Sequence, residues 1–272
     1  MSIMKYFLLL LLSIFANANE IKIGIVDSGI DLKHTFFEGV QINTYNTTEF
    51  PLAHDQFHGT AVLGLFLEST NSNSVYFIKN IDSSQKLTDS DFFKKDPFSE
   101  AINFAIKNNI KILSFSQISN RKSENMIKTF EEARKAGILI VAASGNTGFD
   151  LDRFESIGLS DRNYFPCALG FDNIICVGSI DSKKQIFSNY GSKIVDVFAI
   201  GEEVLVYKEN NQLTYASGSS MATPKITGEV FKIWSKNKSL TYLEVKEKLF
   251  KSLTFNQSLK FKSKTGRFLA DR

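Results

Sequence analysis

The sequence predicts one α/β domain built on a parallel sheet covered on both faces. Two observations carry this: short apolar runs alternate with amphipathic helical patterns, and no Gly/Ser/Pro linker, internal repeat or low-complexity tract interrupts them. Size agrees. A chain of 272 residues fits one large domain or two small ones, and 43% hydrophobic with 22% charged residues supports a buried core and excludes wholesale disorder.

The apolar runs at 21–26 (IKIGIV), 75–81, 112–115 (ILSF), 138–143 (ILIVAA) and 174–177 (IICV) are the expected strands. Helical patterns lie between and after them. Behind the N-cap and first-turn proline of Asp96-Pro97, the residues Phe98, Ala101, Ile102, Ala105 and Ile106 form one apolar stripe. Met126, Ile127, Phe130 and Ala133 form the next, which stops at Gly137. Thr241 and Glu244 make a capping box ahead of Val245, Leu249 and Phe250.

Charge excludes some functions. With 32 basic and 29 acidic residues the net charge is +3, too weak a field to make nucleic acid or an anionic membrane the expected partner. Two cysteines and three histidines cannot supply a disulfide framework, a four-thiolate zinc site or a histidine-rich metal centre. Residues 1–18 hold one lysine, an apolar run and Ala16-Asn17-Ala18, the layout of a secretory signal; an uncleaved anchor and a buried helix are the alternatives. Cleavage after Ala18 leaves residues 19–272 as the mature domain, expected to be soluble and secreted or periplasmic, with no membrane contact once the signal is removed.

Chemistry concentrates in three places. Val26-Asp27-Ser28-Gly29 ends the opening strand and puts a carboxylate at the carboxyl edge of the sheet, where open α/β folds place their sites, although an aspartate there is more often a turn residue or cap. His58-Gly59-Thr60 starts an apolar helix, and alone it also reads as a structural helix-terminal histidine. In Gly218-Ser219-Ser220-Met221-Ala222-Thr223-Pro224 a serine flanked by small residues stands at a helix N-terminus, with Pro224 expected in the first turn.

These three blocks, in this order and with Ala142-Ala143-Ser144-Gly145-Asn146 between the last two, resemble the signature segments of the subtilisin-like serine proteases. Phe187-Ser188-Asn189-Tyr190-Gly191 and Thr265-Gly266-Arg267 extend the resemblance over nearly the whole mature chain. The resemblance implies a three-layer α/β/α sandwich with a mostly parallel central sheet. It also implies a serine endopeptidase in which Ser220 is the nucleophile, His58 the general base and acid, and Asp27 the carboxylate that orients the imidazole. The side chain of Asn146 and the backbone N–H of Ser220 would form the oxyanion hole. His34 and His54 lie in polar loop sequence and read as solvated.

The implied substrate is a polypeptide bound extended along an exposed edge at Ser114, Phe115, Ser116 and Gln117, with the primary pocket walled by these residues and by Ala143, Ser144, Gly145 and Asn146. Three positions depart from the family pattern: Ile118 replaces a common glycine, Ala61 a common second histidine, and Lys225 a histidine often found after the proline. No cofactor is required. Structural calcium is frequent in such proteins, but no oxygen-ligand loop is recognisable here, and Asp89, Asp91, Asp150 and Asp152 read as solvated loop acids. Cys167 and Cys176 flank a turn-like segment and are expected either to bridge or to remain buried thiols. Asp27 lies only nine positions beyond Ala18, so no N-terminal pro-domain is expected, and a chaperone or inhibitor would be a separate polypeptide. An inactive peptide-binding homologue, a peptide ligase and an enzyme dedicated to one partner are the alternatives.

Overall fold

The computed structural model describes residues 20–70, 72–84, 96–157 and 163–270. The 1–18 segment, Asp89 and Asp91 therefore lie outside the described residues. The described residues form eleven strands: β1 (Ile23–Asp27), β2 (Gln41–Asn46), β3 (Ser74–Lys79), β4 (Ile112–Phe115), β5 (Leu139–Ala143), β6 (Ile174–Ile180), β7 (Val197–Ile200), β8 (Val204–Lys208), β9 (Gln212–Ala216), β10 (Thr254–Phe255) and β11 (Arg267–Leu269). The helices are α1 (Phe57–Glu68), α2 (Pro97–Lys107), α3 (Glu124–Lys135), α4 (Asp152–Ser156), α5 (Ser219–Lys236) and α6 (Tyr242–Ser252).

Nine strands form one sheet in the order β10-β11-β7-β6-β5-β4-β1-β3-β2, parallel throughout except for the β10–β11 pair. Alternation along each strand divides the core in two. Ile23, Ile25, Leu139 and Val141 face α1, α5 and α6, whereas Val26, Ile140 and Ala142 face α2 and α3. The molecule is a three-layer α/β/α sandwich with a mostly parallel central sheet. Strand β1 lies between β3 and β4: the chain goes from β1 to the edge strand β2, returns to β3, then crosses to β4 and runs outward to β7, so the carboxyl end of β1 lies at a topological switch point.

The predicted helices follow their signals. Asp96 caps α2 through Phe98 N–H, at 3.0 Å, and the Thr241–Glu244 box at α6 has both of its reciprocal bonds. Gly137 takes φ +71° just beyond α3, a value glycine adopts without strain. Among the described residues no helix is long and apolar enough to cross a membrane.

Candidate active site

Asp27 ends β1 with its side chain buried, and Oδ1 accepts the Ser28 N–H at 2.8 Å. Nδ1 of His58 lies 2.7 Å from the same oxygen. A carboxylate only accepts, so the imidazole donates from Nδ1 and keeps the lone pair of Nε2 for a reacting group. Burial pulls the His58 pKa down, but the charge and hydrogen bond of Asp27, assisted by Asp55, outweigh it and set the ring above its ordinary value.

The glycines of the first two motifs permit close backbone packing. A Cβ on Gly59 would stand 2.3 Å from the Gly29 carbonyl oxygen, and one on Gly29 would stand 1.9 Å from that of His54, so neither position admits a side chain. This close approach lets the 51–57 loop bond directly to the end of β1. Gly29 N–H donates to Asp55 O (2.9 Å), Ile30 N–H to Leu52 O (3.0 Å) and Ser28 Oγ to Asp55 O (2.8 Å). Beneath the loop, the fully buried Lys79 ammonium donates to Pro51 O, His54 O and Asp82 Oδ2 at 3.0, 2.7 and 2.7 Å. His54, expected as a solvated residue, lies 2.7 Å from the same Asp82 oxygen, with its other face open to water. His34 departs from expectation: its ring is buried against Phe37 and Tyr207, and Nδ1 accepts Phe36 N–H.

Ser220 is the second residue of α5, an 18-residue helix that runs under the sheet. Pro224 is the sixth residue of this helix, beyond the first turn where it was expected. Proline has no N–H to offer the carbonyl four residues back, which is that of Ser220. Ser116 Oγ supplies the missing donor, at 3.0 Å from Ser220 O. Since Ser116 directly follows β4, and β4 pairs with β1, this bond ties the head of α5 to the sheet edge that carries Asp27.

Asn146 is anchored by its acceptor. Its Oδ1 takes Ser219 N–H at 2.8 Å and Ser219 Oγ at 2.9 Å, and Ser219 Oγ accepts Gly145 N–H at 3.1 Å. Nδ2 is left over the Gly218 backbone, so close that a Cβ on Gly218 would stand 2.7 Å from it. Asn189, in a segment that the resemblance singled out without a role, is fully buried under this loop. Its Nδ2 donates to Ser144 O at 2.8 Å, while Oδ1 accepts Thr147 N–H, Thr147 Oγ1 and Phe149 N–H at 3.1, 2.7 and 3.0 Å. The arrangement holds an amide donor and a hydroxyl at the N-terminus of α5, and Asp27 orients His58 at the carboxyl end of β1.

The expected substrate edge needs correction. Strand β4 is interior, paired to β1 and β5, so Ser114 and Phe115 have no exposure and cannot meet a substrate. Ser114 instead bonds Thr227 of α5 at 3.0 Å. Ser144 is likewise fully buried, Ala143 nearly so, and Ser116 is occupied by Ser220 O; Gln117 and Ile118 are the positions beyond β4 that open toward solvent. Cys167 and Cys176 are joined, with sulfurs 2.06 Å apart. Asp152, expected as a solvated acid, accepts from Ser192 Oγ and Lys193 N–H. Among the described residues no group of three or more His, Cys, Asp or Glu converges to hold a metal ion.

Residues 18–267 match the model of the subtilase family. Subtilisin DY of Bacillus licheniformis is 29% identical over 246 residues, covering 86% of this chain and 84% of the relative. For other Bacillus subtilisins, 27% identical, the chain spans 61% of their length. A cold adapted subtilisin-like serine proteinase superposes with a TM-score of 0.74 at 22% identity, over 92% of this chain and 89% of its own. A lanthipeptide protease does so with a TM-score of 0.74 at 17% identity, over 90% and 85%. A match over nearly the whole length decides the class: this chain belongs to the subtilase family of serine proteases.

Proposed function

We propose that the chain is a secreted serine endopeptidase acting through Asp27, His58 and Ser220. Ser220 Oγ attacks the scissile carbonyl carbon while its proton passes to His58 Nε2. The C–N bond then breaks as that proton moves to the leaving amine, and water repeats the sequence on the acyl-enzyme. The negative oxygen is held by Asn146 Nδ2 and the Ser220 N–H. The observation that supports this best is the 2.7 Å contact between Asp27 Oδ1 and His58 Nδ1, which fixes the tautomer that the base needs. Secretion rests on the layout of residues 1–18.

The test is covalent labelling of the purified protein by a peptide diphenyl phosphonate, with the adduct located by mass spectrometry. Ser220 should carry it, and Ser220→Ala should abolish both labelling and peptide cleavage while the circular dichroism spectrum is unchanged. Cleavage retained by Ser220→Ala would sink the assignment. Processing of one dedicated peptide is a second reading, favoured by the bulky, exposed Ile118 two residues past Ser116 and by the likeness in fold to a lanthipeptide protease.

A further inference from the structure

The net charge of +3 conceals an uneven distribution: residues 248–270 hold six basic side chains and no acidic one. Within this stretch, residues 256–266 form a compact loop between β10 and β11, closed at its base by the Asn256 N–H, which donates to Gly266 O at 2.9 Å. Phe261, midway round the loop, is 74% exposed, more than any other large hydrophobic side chain of the described residues. Phe255, at the base, is 48% exposed.

The loop is pinned on both sides of Phe261. Leu259 is buried, Asn256 Oδ1 accepts Ser258 N–H at 2.9 Å, and Ser263 Oγ accepts Gly266 N–H at 3.0 Å. Gly191 N–H donates to Lys262 O at 2.9 Å, and Lys264 N–H donates to Val195 O at 2.7 Å. An ordered loop therefore holds a phenyl ring in water, forgoing the stabilisation that burial would bring. Cations surround this ring. The Lys260 ammonium lies 5.4 Å from its centre and that of Lys262 lies 3.9 Å from the Tyr190 ring, and neither has a carboxylate partner among the described residues. Phe255 adjoins them, since a Cβ on Gly266 would stand 2.9 Å from Phe255 Cε2 and 3.0 Å from Lys260 Cα. The neighbouring acids are engaged elsewhere: Asp196 with Lys264, Glu247 with Lys251, and Asp152 with Ser192 and the Lys193 N–H.

We propose that the 256–266 loop seats the folded protein peripherally on an anionic lipid surface, with Phe261 entering the boundary between headgroups and acyl chains and Lys260 and Lys262 lying against lipid phosphates. A protruding ring gains by leaving water only where the partner has apolar depth, and the flanking ammoniums gain only beside negative charge; an anionic bilayer interface supplies both. The expectation of no membrane contact, drawn from net charge, is revised, because the lipid surface acts on the charges within about 10 Å of it and not on their sum over the chain. The loop also stands clear of the candidate active site. It lies at the amino end of β11, whereas Asp27 ends β1 at the carboxyl end of the same parallel sheet, and β10 stands six strands from β1, roughly 29 Å at about 4.8 Å per strand. Seating the loop leaves the carboxyl end of the sheet open to water.

The test is Phe261→Trp in the full chain, its fluorescence read as the difference from the unaltered protein so that the buried Trp234 cancels. With vesicles of equal parts phosphatidylglycerol and phosphatidylcholine, the added indole should emit at shorter wavelength and be quenched by lipid brominated in the upper acyl chain. With phosphatidylcholine alone it should do neither, and high salt should reverse the response to the anionic vesicles. Lys260→Gln with Lys262→Gln in the same background should raise the lipid concentration at half-effect about 30-fold, about 5-fold for each lysine. Lys107→Gln with Lys128→Gln, on α2 and α3, should leave it nearly unchanged. The readout sits at position 261, so lipid contact through the apolar run of residues 6–15 does not imitate it. An indole that stays in water beside the anionic vesicles, whether or not the chain sediments with them, would overturn the proposal and leave the loop to a protein partner. An equal response to both kinds of vesicle would overturn it as well.

Discussion

Oδ1 of Asp27 lies 2.7 Å from Nδ1 of His58, while Oδ2 of the same buried carboxylate has no hydrogen-bond partner. The pair is therefore an electrostatic clamp on one ring nitrogen. The neutral imidazole is the working base, so activity should rise as pH climbs through a His58 pKa raised above the ordinary value of about 6.5. Stability has the opposite sign: the charged ring contributes fully below about pH 6.5, and the contribution is lost as pH rises through the raised value. Asp27→Asn should lower kcat by about 10⁴-fold and move the rising limb to lower pH. A kcat/KM profile against pH with an unmoved limb would show that Asp27 does not set the base.

A second prediction concerns Lys79 and Asp82. Burial would raise the Asp82 pKa, but hydrogen bonds from Lys79, His54 and the Ser84 N–H, with the charge of Lys79, outweigh it and hold the carboxyl at about 2. Its stabilisation is present above the unfolded value of about 3.9 and is lost as pH falls through the folded one. Lys79→Met leaves a buried carboxylate without its cation and should cost about 3–5 kcal/mol. Urea melts at pH 7 and pH 3 check this, and the deficit should shrink at the lower pH.

The support of Asn146 by Asn189 predicts a kinetic signature. Asn146→Ala should lower kcat by about 10²–10³-fold with KM little changed, because the oxyanion is met only in the transition state. Asn189→Ala should lower kcat in the same sense, since it releases the Ser144–Phe149 loop. Combined with Asn146→Ala it should add almost nothing, because its effect passes through Asn146. Additive losses in this double-mutant cycle would refute the coupling.

The carbonyl exposed by Pro224 predicts another coupling. Ser116→Ala leaves the buried Ser220 oxygen without a donor and should cost about 1–3 kcal/mol. Pro224→Ala restores an N–H to the helix at that oxygen, so in its presence Ser116→Ala should cost much less. Chemical denaturation of the four proteins measures the difference, and equal costs in both backgrounds would contradict it.

What was legible in the sequence was local. Asp96-Pro97, Thr241 with Glu244 and the three chemical blocks each carry their signal within a few residues, and the structure places helices and turns there. The interior position of Ser114 and Phe115 was not legible, because a short apolar run reads alike in the middle of a sheet and beside its rim. Strand β2, QINTYN, is a half-exposed edge strand without an apolar run, and β8–β9 turns at Asn210 and Asn211, both at positive φ, so neither announced itself. The Lys79–Asp82–His54 cluster joins residues up to 28 positions apart, and each alone reads as strand end, turn acid or loop histidine.

The mounting of Ser220 has a consequence for how the protein fails when heated. Eleven of the 18 residues of α5 are buried, and its threonines bond back to carbonyls one turn earlier and across to β4. The nucleophile cannot loosen unless the helix leaves the core, so the amides of Thr227 and Val230, buried further along the same helix, should exchange with deuterium only when the whole domain opens. The Asn146 loop hangs instead on a few bonds, to Asn189, Ser219 and Tyr164. Moderate heat should therefore produce a reversible decline in turnover in molecules whose centre is intact, and permanent inactivation should set in later, with the half-life of global unfolding.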